Sequence, residues 1–159
     1  MIVSHTAPLS FIEELSLVRP QVADRDELLT LLADSGLARG YVGEGFREAL
    51  LEREASFPTG LPTPLTSAIP HADTRFVRRP GLVAALLGSP LRFGEMGGAG
   101  REVEVELVVL LLVDEPQAQV QVLSQLLRVL QAPDLRTILE RVRTPRQLAD
   151  VLDRLLTPG

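Results

Sequence analysis

Seven consecutive apolar residues, Leu107–Val113, stand between Glu106 and Asp114. The run is far shorter than the roughly 20 residues that a membrane helix needs. Ahead of it, Glu102, Val103, Glu104, Val105 and Glu106 alternate charge and valine, the period of a strand with one wet face. Together they predict a strand over 102–113 that enters a core from an exposed end. A strand that finishes in an unbroken apolar run belongs in a sheet covered by helices.

The remaining segments agree. Leu82–Leu87 is a second apolar run of strand length, closed by Gly88-Ser89-Pro90. Leu15–Val18 is expected to open a strand, with Pro20 placing it at an edge. Asp24, with Glu27 three residues on, predicts a helix start; Leu28, Leu29, Leu31 and Leu32 supply its apolar face and Gly36 its stop. A second helix is expected over Glu44–Glu54, with Phe46, Ala49 and Leu50 inward. Pro116, Pro133 and Pro145 each sit where a first helical turn accepts proline, so the C-terminal third reads as helical. Strands alternating with helices, then a helical end, predict an α/β (α+β) fold. The chain's 159 residues match the ordinary size of one domain, expected over 1–159, with residues 1–14 as a loose N-terminal arm. Residues 57–66 hold three prolines and a glycine and are expected to form a stiff loop without regular structure. Gly94–Gly100 is expected to be a mobile connector; it lacks the Lys-Ser or Lys-Thr ending of a phosphate loop.

Composition narrows the chemistry. With 16 basic and 21 acidic residues the net charge is −5, which argues against nucleic acid as a partner. Cysteine is absent, so disulfides, thiolate metal sites and thiol catalysis are excluded. The N-terminus has no basic segment ahead of an apolar stretch, and a cytoplasmic protein is expected. Of the two histidines, His5 falls in the arm and is expected to have no role. His71 follows a proline and the stiff loop. A neutral imidazole there suits a nucleophile, a general base or a metal ligand, and equally a structural side chain at a strand end. No second histidine or cysteine stands near it to complete a metal site. A Gly-x-Ser-x-Gly nucleophile elbow is missing.

The order of the segments is more specific. Arg53-Glu54 ends a helix, Phe57-Pro58-Thr59-Gly60-Leu61 follows, and Ala68-Ile69-Pro70-His71 comes next. This arrangement resembles the enzyme IIA components of the sugar phosphotransferase system, the fructose–mannitol superfamily. Arg53-Glu54-Ala55-Ser56-Phe57-Pro58-Thr59-Gly60, Pro116-Gln117-Ala118-Gln119 and Leu130-Gln131-Ala132-Pro133-Asp134 resemble the galactitol-type branch in particular. Mannitol and fructose relatives carry a second histidine near the position of Gln119. The resemblance implies a mixed β-sheet of about five strands flanked by helices. It implies that His71 accepts a phosphoryl group from phospho-HPr and passes it to a cysteine of enzyme IIB. Arg53 would face the phosphate, with Thr59, Gly60 and Gln119 in support, and no metal or cofactor is expected. Membrane association would be indirect, through the transporter. An apolar surface at Phe57, Leu61 and Phe76, with acidic groups at its rim, would suit a basic carrier. Two roles lead: uptake of a polyol or sugar, and a regulatory phosphoprotein whose partner reads the state of His71. A further alternative is an inactive, purely structural interaction domain that kept the fold, against which the intact Arg53, 57–61 loop and His71 argue. For Arg53 the competing reading is a helix-end cation, for Gly60 loop geometry, for Gln119 a first-turn surface glutamine, and for Asp73, whose other role would be to orient the imidazole, a solvated carboxylate.

Overall fold

A computed structural model describes residues 9–157. The predicted strand is present as β5, Glu102–Leu112, and it is central to a mixed five-stranded sheet. With β1 at Leu17–Val18, β2 at Gly60–Leu61, β3 at Ser67–Ala68 and β4 at Gly81–Gly94, the sheet order is β1-β4-β5-β3-β2. β1 runs parallel to β4 and β3 parallel to β5, whereas β4–β5 and β2–β3 are antiparallel.

Alternation along β5 divides the core. Leu107, Val109, Leu111 and Val113 face one helical layer, built from α3 (Pro116–Leu130), α4 (Leu135–Leu139) and α5 (Pro145–Leu156). Val108, Leu110 and Leu112 face the other, built from α1 (Arg25–Ala38) and α2 (Phe46–Ser56). Both faces of the strand are therefore dry, which is why its sequence loses the period of two after Glu106. Each fully buried leucine contributes about 1.5–3 kcal/mol relative to an exposed one.

Several boundaries differ from expectation. Residues 9–14 are not loose. Phe11 is buried and bridges to Leu82, and the Ile12 N–H donates to the Leu82 carbonyl at 2.7 Å. A free backbone edge on β4 captures this segment. A 3-10 turn then occupies Glu13–Leu15, so the strand starts only at Leu17. α1 begins as predicted, the Asp24 carboxylate accepting the Glu27 N–H at 2.8 Å. It runs past Gly36, which packs against Val42, and the chain turns at Gly40 with φ +80°. Leu31 is exposed, the buried stripe being Leu28, Leu29, Leu32, Ala33 and Gly36. β4 does not stop at Leu87. It continues to Gly94 past a register shift between Leu86 and Leu91, and Gly88, Ser89 and Pro90 sit in that bulge, where proline needs no ladder partner. Pro116 and Pro145 open their helices, whereas Pro133 precedes the Asp134 N-cap of α4. No helix among the described residues is long and apolar enough to cross a membrane.

Candidate functional site

α2 places three side chains one turn apart on its buried stripe: Phe46, Leu50 and Glu54. Arg53 is the neighbour of Glu54 and therefore points away from that stripe, into solvent. The helix ends at Ser56, with the Phe57 N–H on the Arg53 carbonyl at 2.7 Å. The Arg53 guanidinium lies 5.5 Å from the centroid of the Phe57 ring, a cation–π contact. Arg53 makes no salt bridge among the described residues.

The segment expected to lack regular structure contains the short strand β2, which pairs with β3 through Gly60–Ala68 and Leu61–Ser67. Between them the Thr63 and Ser67 hydroxyls donate to the Leu65 carbonyl at 2.8 and 2.7 Å. These bonds let a proline-rich turn close into a hairpin. β3 also joins the central β5, through Ser67–Leu107 and Ala68–Val108. It thereby delivers Ile69, Pro70 and His71 to the C-terminal end of β5, where the Leu111 N–H donates to the Pro70 carbonyl at 3.1 Å.

His71 is half-buried. Its Nδ1 lies 2.9 Å from the Ile69 carbonyl oxygen. A carbonyl can only accept, so Nδ1 carries the proton and Nε2 keeps its lone pair. Burial lowers the ring's pKa from the ordinary histidine value; the Ile69 carbonyl opposes this, and the positive charge of Arg53 adds to it. The neutral ring is thus the favoured form near pH 7.

The other expected residues fall into place unevenly. Thr59 is buried with both donors committed: its N–H reaches Glu54 Oε2 and its hydroxyl Glu54 Oε1, each at 2.8 Å. The hydroxyl proton expected for a phosphate is therefore spent on Glu54. Gly60 is explained by packing. A Cβ there would come within 2.6 Å of the Gly94 carbonyl oxygen and of Val103 Cγ2. A Gly60→Ala variant is expected to lose about 1–3 kcal/mol of stability by chemical denaturation, because a backbone oxygen cannot step aside as a side-chain tip can. Gln119 is half-buried in the first turn of α3, and its side chain makes no hydrogen bond among the described residues. Asp73 does not orient His71. Its Oδ1 accepts the Arg75 N–H at 2.9 Å and caps the 3-10 turn Thr74–Phe76.

Phe57 is 65% exposed, Leu61 and Phe76 are half-buried, and Phe76 packs edge-on against Phe46. In the segment that follows His71, Asp73, Arg75, Arg78 and Arg79 are exposed. Among the described residues no group of three or more His, Cys, Asp or Glu stands together. His5 lies outside the described residues.

The residue that sequence reasoning passed over is Glu54. In the sequence it stands out only as half of an Arg-Glu pair, yet it is 1% exposed. Its place eight residues after Phe46 and four after Leu50 was the available signal, since a carboxylate on a buried stripe needs a reason.

Comparison with known proteins adds an independent line. The family described as "Phosphoenolpyruvate-dependent sugar phosphotransferase system, EIIA 2" matches residues 10–154. The galactitol-specific EIIA component of the phosphotransferase system of Escherichia coli (strain K12) is 34% identical over 113 residues, covering 70% of this chain and 75% of that protein. The mannitol-specific cryptic enzyme IIA CmtB of Escherichia coli shares the fold with a TM-score of 0.72 at 21% identity, over 91% of this chain and 96% of that one. Escherichia coli enzyme IIA of the mannitol system, solved in complex with phosphorylated enzyme IIB, matches with a TM-score of 0.68 at 20% identity, over 89% and 97% of the two chains.

Proposed function

The chain belongs to the phosphoenolpyruvate-dependent sugar phosphotransferase system EIIA 2 family, and on that premise we propose that it is a cytoplasmic phosphocarrier with His71 as its phosphorylated residue. It takes the group from phospho-HPr and gives it to a cysteine of enzyme IIB, in uptake of a polyol or sugar of the galactitol type. The observation that carries this reading is the Nδ1–H···O=C bond of His71 to Ile69, which leaves Nε2 as the ring's nucleophile.

The chemistry follows from that tautomer. Nε2 attacks the phosphorus as the P–N bond to the donor histidine breaks. The ring becomes a phosphoimidazolium whose Nδ1–H still points at the Ile69 carbonyl, and that oxygen stabilises the new positive charge. On transfer, the thiolate of the acceptor forms the P–S bond and the P–N bond at His71 breaks. The ring leaves as neutral imidazole, with Nδ1 protonated throughout. Phosphoryl transfer of this kind places charge on three equatorial oxygens, and catalysis rests on positioning and positive charge. Arg53, without a carboxylate partner among the described residues, is a cation available for two of those oxygens.

The test is incubation of the purified chain with phosphoenolpyruvate, enzyme I and cognate HPr. Intact mass spectrometry should show the addition of one phosphoryl group that is lost in acid. Addition of enzyme IIB should discharge it. No addition in the presence of charged HPr overturns the reading.

A further inference from the structure

We propose, resting on the phosphocarrier reading, that Glu54 is a positioning residue that holds His71 in its Nδ1–H tautomer through a chain of hydrogen bonds running Glu54–Thr59–Ile69–His71. The first link is double: the two carboxylate oxygens accept the Thr59 N–H and hydroxyl, each at 2.8 Å. In the second, the Thr59 carbonyl accepts the Ile69 N–H at 3.3 Å. The third is the Ile69 carbonyl, which accepts His71 Nδ1–H at 2.9 Å.

A carboxylate at this place is costly, and that is what makes it informative. Glu54 is 1% exposed and has no salt bridge among the described residues. A leucine would extend the Phe46–Leu50 stripe without any burial penalty. What leucine cannot do is grip a backbone N–H and a hydroxyl of the same residue. That bidentate grip fixes Thr59 in two directions, and Thr59 is the point where the loop from α2 meets the strand edge beside Ile69. Glu54 also adjoins Arg53 at the end of the same helix. One side chain therefore ties the cation-bearing helix end to the segment that sets the nucleophile's ring.

Two substitutions separate positioning from charge. Glutamine can accept the Thr59 N–H through Oε1 and donate through Nε2 to the Thr59 oxygen, because that hydroxyl can rotate. Glu54→Gln is therefore expected to keep the wild-type tautomer and most of the transfer rate. Glu54→Ala loses both contacts. In ¹⁵N-detected spectra of the unphosphorylated protein its His71 ring should become a mixture of Nδ1–H and Nε2–H forms. Its maximal rate of transfer from phospho-HPr should fall about tenfold to a hundredfold, with KM for the carrier little changed.

A folded Glu54→Ala protein with the wild-type ring signals and rate overturns the proposal, as does a Glu54→Gln protein as impaired as the alanine variant. Should Glu54→Ala fail to fold, Thr59→Val removes the hydroxyl contact alone. It should shift the ring in the same direction by a smaller amount, and wild-type ring signals in that variant overturn the proposal too. The spectra need no donor or acceptor. If the wild type accepts no phosphoryl group, the carrier reading fails, while the ring spectra still decide whether Glu54 sets the tautomer.

Discussion

A His71→Ala variant is expected to take up no phosphoryl group from charged HPr, at any HPr concentration, while keeping its fold. The loss is complete because no other described side chain offers an imidazole, and the chain contains no cysteine to serve as substitute. Stability should change little. The ring is half-buried and gives up one hydrogen bond, a cost of about 1 kcal/mol. Intact mass read beside a thermal melt checks both halves. A variant that still acquires an acid-labile phosphoryl group would move the site away from His71. Phosphorus NMR of the charged wild type adds a sharper check: the group is expected on Nε2, because Nδ1 is occupied by the Ile69 carbonyl.

The large features of this fold are legible in the sequence because each is set by a long local pattern. β5 reads correctly since eleven residues change from alternating to solid where the strand becomes covered on both faces. α1 reads from its Asp24 cap, and α3 and α5 from their opening prolines. What the sequence conceals is non-local. β2 and β3 are two residues each, too short for any period, and exist because β5 supplies an edge for β3. Gly60 looks like one more loop glycine until Gly94 and Val103, far along the chain, come against it. Thr59 looks like a phosphate ligand until its donors are seen on Glu54. The motif thus divides by burial: Arg53 is exposed and His71 half-buried, while Glu54, Thr59 and Gly60 are buried and hold the frame.

Arg53→Ala is expected to slow phosphoryl transfer by about 10²- to 10³-fold, the range seen when one donor to a developing oxyanion is removed. The fold should be unaffected to within about 0.5 kcal/mol, since the side chain is exposed and unpaired among the described residues. Arg53→Lys should recover only part of the rate, because an ammonium cannot hold two phosphoryl oxygens in one plane. The same variant makes a second prediction with a fixed sign. In the wild type, protonation of His71 removes the nucleophile, so kcat/KM falls on the acid side as pH drops through the ring's pKa. Burial and the Arg53 charge both lower that pKa. Removing the charge leaves burial and the opposing Ile69 carbonyl, so the ring's pKa rises and the acid limb moves to higher pH. A helix-end arginine with no part in the site would leave both the rate and the position of that limb where they are. A slowed variant with an unmoved limb would place Arg53 on the partner's docking surface instead of beside the ring. Measuring kcat/KM from phospho-HPr across the acid limb for the two proteins separates these three outcomes.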